Sequence, residues 1–155
     1  MTNRHSASEM GRRNLDKRLA KAFIPDPPPK GWIRAIRDAL GMTTTQMAER
    51  MGVAQSRIVA LEKEETAQSL TLKTLDRAAR ALGCRMTYVL VPDDTLEAAV
   101  KQRARQKAEA ILKQAGHTMG LEGQPVSAAE KRAQLEELVE ELLQGTPARL
   151  WDEWS

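Results

Sequence analysis

Between Lys30 and Gly83 apolar residues recur at helical spacing, but no run lasts long before a glycine or a hydroxyl residue interrupts it. Ile33, Ile36, Ala39 and Leu40 form a first stripe, and Gly41 ends it. Thr43 or Thr44 opens a second helix whose Met47, Ala48 and Met51 face inward until Gly52. A third helix carries Ile58 and Leu61 inward. After Ser69 or Thr71 a fourth repeats Leu72, Leu75, Ala78, Ala79 and Leu82 before Gly83. Helices this short bury their stripes only by crossing one another, so the chain is predicted to be mainly α. Aromatic residues make up 3% of the sequence, which excludes a sandwich or barrel of aromatic-rich strands.

The flanks read differently. Ser8 through Phe23 predicts an amphipathic helix with Met10, Leu15, Leu19, Ala22 and Phe23 near one face. Pro25 and Pro27 to Pro29 then fix φ and remove amide donors, so 25–30 is a stiff linker. Residues 1–24 are read as an N-terminal helix, 31–92 as one domain and 93–155 as a C-terminal helical region. Arg85 to Val91 is rich in β-formers and closes at Pro92, predicting a single strand. No second candidate strand exists to pair with it, so its partner is expected from a second copy in a two-fold dimer. Asp93 or Asp94 is expected to cap a long helix reaching about Thr118, with Leu96, Ala99, Val100, Ile111 and Leu112 on it. Ser127 with Glu130 makes a capping box for a last helix bearing Leu135, Leu138, Val139, Leu142 and Leu143. Trp151 and Trp154 follow, and are read as covers for a hydrophobic edge.

A chain of 155 residues and 17.2 kDa holds one small domain with appendages, or two very small ones. The single cysteine, Cys84, forms no internal disulfide, and His5 and His117 are too far apart in sequence to suggest a metal site. Both His117 and Cys84 are read as packing or surface residues. No cofactor is expected. There is no paired-carboxylate signature, nucleophile with a neighbouring base, or phosphate loop, so an enzyme is not expected. No apolar run suggests a signal or a membrane span, and the reading is cytoplasmic. Residues 1–92 carry sixteen basic and nine acidic side chains, a balance of +7, whereas 93–155 carry eight and twelve, a balance of −4. The front part is the one suited to a polyanion.

The stretch from Thr44 to Leu61 has the parts needed to pack two helices steeply across a tight turn. Ala48 leaves room for close approach, Gly52 accepts the left-handed backbone, and Val53, Ile58 and Leu61 lock the pair down. Gly41-Met42-Thr43 through Leu61-Glu62-Lys63 resembles the phage repressor and Cro type of helix-turn-helix, which implies a lambda-repressor-like bundle. In that family the third helix enters the major groove of double-stranded DNA. The resemblance makes Gln55, Ser56 and Arg57 the base readers, with Gln55 suited to adenine and Arg57 to guanine or a phosphate. Ala60 could pack only against a thymine methyl. Thr43, Thr44 and Thr45 would meet a phosphate at the positive end of the second helix. Arg37 and Glu62 stand where the family has an ion pair joining its first and third helices. Two departures are Ala54, where an N-cap hydroxyl is common, and Glu64, where a glycine often stops the helix.

A wider resemblance rests on Pro28-Pro29-Lys30-Gly31-Trp32-Ile33-Arg34, Leu82-Gly83-Cys84-Arg85 and Arg149-Leu150-Trp151-Asp152, which are similar to the mobile mystery protein A family. That resemblance implies a bacterial regulator encoded beside a Fic/DOC-domain partner in a toxin–antitoxin-like arrangement. Thr118-Met119-Gly120-Leu121-Glu122-Gly123 fits the inhibitory motif of Fic antitoxins. In that motif Thr118, Glu122 and Gly123 are the defining residues, and the glutamate pairs with a Fic arginine. The plainer reading of Glu122 is a solvated residue near an inter-helix turn. The sequence thus predicts an autorepressor and antitoxin-like partner that binds a palindromic operator as a homodimer. The alternative is an interaction module that inhibits a Fic AMP-transferase through Glu122, with DNA binding secondary.

Overall fold

The computed structural model describes residues 2–119 and 126–153. It is mainly helical, as the apolar spacing predicts. Its elements are α1 (Thr2–Ala20), α2 (Trp32–Ala39), α3 (Thr44–Met51), α4 (Gln55–Thr66), α5 (Leu72–Ala81), α6 (Leu96–Met119), α7 (Ala128–Gln144) and a 3-10 turn, Pro147–Leu150. The chain divides into two compact units. One is built from 23–90; the other combines 1–22 with 91–155.

In the unit built from 23–90, α2 to α5 close around Ile33, Met47, Ala48, Ile58, Leu61, Ala78 and Leu82. Local chemistry sets each boundary. Thr43 caps α3 by accepting from the Gln46 amide at 3.1 Å, while the Gln46 side chain accepts from the Thr43 amide at 2.9 Å. Gly52 ends α3 at φ 67° and ψ 36°, a left-handed conformation that a side chain would strain. The Val53 amide then donates to the Ala48 carbonyl at 3.0 Å, which closes the turn. Thr71 caps α5 through the Thr74 amide at 3.1 Å.

One cap comes from a distant residue. Gly31, at φ 86°, leads into α2, whose first amides, on Trp32 and Ile33, donate to the two carboxylate oxygens of Glu65 at 2.7 and 2.9 Å. A Cβ on Gly31 would lie 2.8 Å from Glu65 Oε2. Arginines satisfy carbonyls at the opposite ends of two helices: Arg50 Nε donates to Ala81 O at 2.7 Å, and Arg77 Nη2 to Met51 O at 3.4 Å. The expected stripes are buried in part: Ile33 and Leu82, at helix ends, are covered with the central residues, whereas Leu40 and Leu72 are exposed.

The second unit joins α1, α6, α7 and the 3-10 turn. Ala104 and Ala108, one helical turn apart, are fully buried with Val139 and Leu150, and Leu135, Leu138, Leu142 and Leu143 pack against them. Two small residues on one face let α7 approach α6 closely. Ser127 and Glu130 form the predicted capping box. Arg103 Nε donates to Leu150 O at 2.7 Å, its guanidinium lies over the Trp151 ring at 5.9 Å, and Lys107 donates to Arg149 O. Trp151 covers that edge partly, remaining half exposed, and Trp154 lies outside the described residues.

Three expectations are corrected. Helix α1 starts earlier than Ser8 and leaves Met10 and Leu15 exposed. Its polar side makes the attachment: Arg12 Nε meets Glu97 at 3.0 Å, and the Asp16 carboxylate accepts from the Leu96 and Glu97 amides at 2.7 and 3.2 Å. Asp93 and Asp94 therefore do not cap α6. Thr95 does, through the Ala98 amide at 3.0 Å, together with Asp16 from α1. Residues 85–91 form no strand, since no described segment of the same chain runs beside them to make a ladder. Among the described residues no helix is long and apolar enough to cross a membrane.

Candidate nucleic-acid interface

Gly52 reverses the chain between α3 and α4 so that the amino ends of both helices meet at one surface. The direct link is a hydrogen bond from Gln55 Nε2, at the first position of α4, to Thr44 Oγ1, at the first position of α3, at 2.9 Å. The amino end of a helix carries partial positive charge, so this surface holds two such ends within one side-chain bond of each other. Thr43 and Thr45 are exposed beside it, and the Thr43 oxygen is occupied by its own cap. Ala54 supplies no side-chain cap to α4, which leaves the first amides of that helix open apart from the Arg57 amide, bonded to Ala54 O at 2.9 Å.

Along the outer side of α4, Gln55 and Ser56 are exposed, followed one turn later by Val59 at 40%. Ala60 is half-buried, so Val59 is the more open of the two apolar positions. Arg57 does not extend freely. Its Nη1 meets Glu64 Oε1 at 2.8 Å, two turns further along the helix. Both side chains are partly solvated, and such a pair contributes only about 0–1 kcal/mol, so a phosphate or a base edge can displace it. Nothing in the spacing of the sequence ties Glu64 to Arg57, and the contact is seen only in the folded helix.

Beneath this surface, Arg37 and Glu62 are buried together. Arg37 Nε donates to Glu62 Oε1 at 2.6 Å and Nη2 to Oε2 at 3.3 Å, while Nη1 reaches Met42 O at 2.9 Å. The hydrogen bond to Glu62 raises the Arg37 pKa, outweighing the burial that would lower it, and Asp38 at 3.0 Å adds to the rise. This pair fixes α4 on α2, and through it the angle at which Gln55, Ser56 and Arg57 are presented. Thr118 falls in the last turn of α6, whereas Glu122 and Gly123 lie outside the described residues.

Residues 33–89, which span all four helices of this unit, match the family described as Helix-turn-helix. A stretch of 51 residues, 33% of this chain, is 49% identical to 71% of a protein from Methanothermobacter thermautotrophicus described as an uncharacterized HTH-type transcriptional regulator. No solved structure matches the chain.

Proposed function

The chain belongs to the helix-turn-helix family, and from that premise we propose that it is a DNA-binding transcription regulator, not an enzyme, whose α4 enters the major groove. The observation that carries this reading is the Gln55 to Thr44 bond. It joins the amino ends of two helices into one surface and holds on it the Gln55 side-chain amide, the kind of group that pairs with an adenine edge. Thr44 and Thr45 orient hydroxyls toward a phosphate at the start of α3, which positions the protein without reading sequence. Ser56 tolerates several bases. Arg57 leaves Glu64 for guanine, and Val59 and Ala60 provide apolar contact for a thymine methyl.

The finer reading is a cytoplasmic autorepressor that binds a palindromic operator as a homodimer. Its antitoxin-like role toward a Fic-domain partner, with Thr118, Glu122 and Gly123 as the inhibitory residues, is supported by the family resemblance of the sequence alone.

A mobility-shift assay with DNA from upstream of the gene tests the reading. The parent protein is expected to retard one site selectively. Gln55→Ala and Arg57→Ala should each lose about 1–3 kcal/mol of discrimination while keeping helical content. Undiminished selectivity in both variants would overturn the assignment of α4. Loss of inhibition of the neighbouring Fic protein in Glu122→Gly tests the partner role; unchanged inhibition removes Glu122 from it.

A further inference from the structure

Where the chain passes from one unit toward the other, Arg85 to Asp93 has neither helix nor strand, and among the described residues none of its backbone N–H or C=O groups is hydrogen-bonded within the chain. Connecting segments are ordinarily polar. This one is not: Tyr88 is 71% exposed, Leu90 85%, and Val89 and Val91 are about half exposed. The residue order has period two. Met86, Tyr88, Leu90 and Pro92 share one side, and Arg85, Thr87, Val89, Val91 and Asp93 the other.

We propose that this segment pairs with the same segment of a second copy as a two-fold antiparallel ladder centred on Val89. This deepens the regulator reading and rests on it only for the consequence that two copies act on one site. Three features select the register. With Val89 facing its own counterpart, Arg85 lies directly opposite the second copy's Asp93 at both ends of the ladder. Neither charge has an ion-pair partner within the chain among the described residues. When the Val89 pair exchanges backbone hydrogen bonds, Arg85, Thr87, Val91 and Asp93 do so too. Pro92, which has no N–H, then falls at a non-hydrogen-bonded position and costs the ladder nothing. Tyr88 faces the second copy's Leu90, an aromatic–aliphatic cross-strand pair of a stabilising kind. The two-fold axis admits only registers in which one residue faces itself, so the nearest alternatives are centred on Tyr88 or Leu90, and these set Arg85 opposite the uncharged Val91 or Thr95.

A second copy is a better occupant than an unrelated strand because the segment is its own complement. The basic end matches the acidic end only when the two run antiparallel, and the apolar side meets an identical apolar side. Exposed strand edges ordinarily carry a device against such pairing, and the one charge pair here favours it.

The test uses the full chain with Cys84→Ser, so that introduced cysteines act alone. Sedimentation without DNA is expected to give twice the 17.2 kDa chain mass. Arg85→Glu, which sets like charges opposite each other, should weaken association about tenfold, and adding Asp93→Arg should restore it. On oxidation Val89→Cys should link two chains across the axis, since paired Cα atoms there lie about 5.5 Å apart. Leu90→Cys, facing Tyr88, should not. A single-chain mass for the parent, or a dimer indifferent to Arg85→Glu and unlinked through Val89→Cys, overturns the pairing. Retention of the DNA shift in a monomeric protein would sink the pairing alone, whereas a paired protein that shifts no DNA would sink the regulator reading alone.

Discussion

Arg37 and Glu62 are the charged residues whose removal should be felt most. Each is less than a tenth exposed, so Glu62→Ala leaves a guanidinium in the core with only Met42 O and Asp38 to hold it. The expected loss is about 3–5 kcal/mol, measured as a fall in the urea midpoint at constant slope. A raised pKa on a cation gives stability that is complete below its unfolded value and disappears only as pH rises through the folded one. For Arg37 that window lies above the ordinary arginine range, so the pair should contribute equally across neutral pH. Two glycines can be compared in the same way. Both have positive φ, but a Cβ at Gly52 meets nothing within 4 Å, whereas at Gly31 it strikes the Glu65 carboxylate. Gly52→Ala should cost about 1–2 kcal/mol of backbone strain. Gly31→Ala should cost about 1 kcal/mol more, because moving Glu65 aside uncaps α2. Equal losses in thermal unfolding would show that Glu65 is not fixed by its role as a cap.

Helix ends show what the sequence can and cannot disclose. Thr43 with Gln46, Thr71 and Ser127 with Glu130 lie within a few residues of the amides they satisfy, so their boundaries are readable from the order of residues alone. Asp16 and Glu65 do the same work across 80 and 32 residues, and no local pattern announces them. The apolar face predicted on α1 is not its attached side for a related reason: Arg12 and Asp16 hold the helix through charge and amide contacts. In α6 the buried positions are alanines, whose small side chains look neutral in a hydrophobic count and matter because they permit close approach. The surface holding Gln55, Ser56 and Arg57 was legible because the helix pair that builds it is contiguous in the chain; the Gln55 to Thr44 and Arg57 to Glu64 contacts needed side-chain directions that spacing does not give. At this scale Asp16→Ala should uncap α6 at a cost of about 1 kcal/mol and speed hydrogen exchange at the Leu96 and Glu97 amides. Unchanged exchange at both would mean that Thr95 suffices.

Charge looks different once the chain is folded. The linear division into a basic front and an acidic rear does not follow the units, because the basic α1 belongs with the acidic C-terminal helices. The residues 1–22 and 91–155 together hold fourteen basic and fourteen acidic side chains, whereas 23–90 hold ten basic and seven acidic. The excess that favours a polyanion thus resides with the helix-turn-helix. DNA affinity should accordingly fall as salt rises, each released phosphate contact contributing a slope of about −0.9 in log affinity against log salt. A flat response in the mobility shift would remove phosphate contacts from the account.

The clasp of Asp16 on the start of α6 also dictates an order of events during synthesis. When α1 leaves the ribosome its anchoring partner has not yet been made, and all of the helix-turn-helix must be translated before Leu96 emerges. The middle of the chain can mature as soon as it is out, using contacts close in sequence. Helix α1 is therefore made before the helix-turn-helix but seated only after it, and until then Arg12 and Asp16 lack the Glu97 and Leu96 groups that hold them.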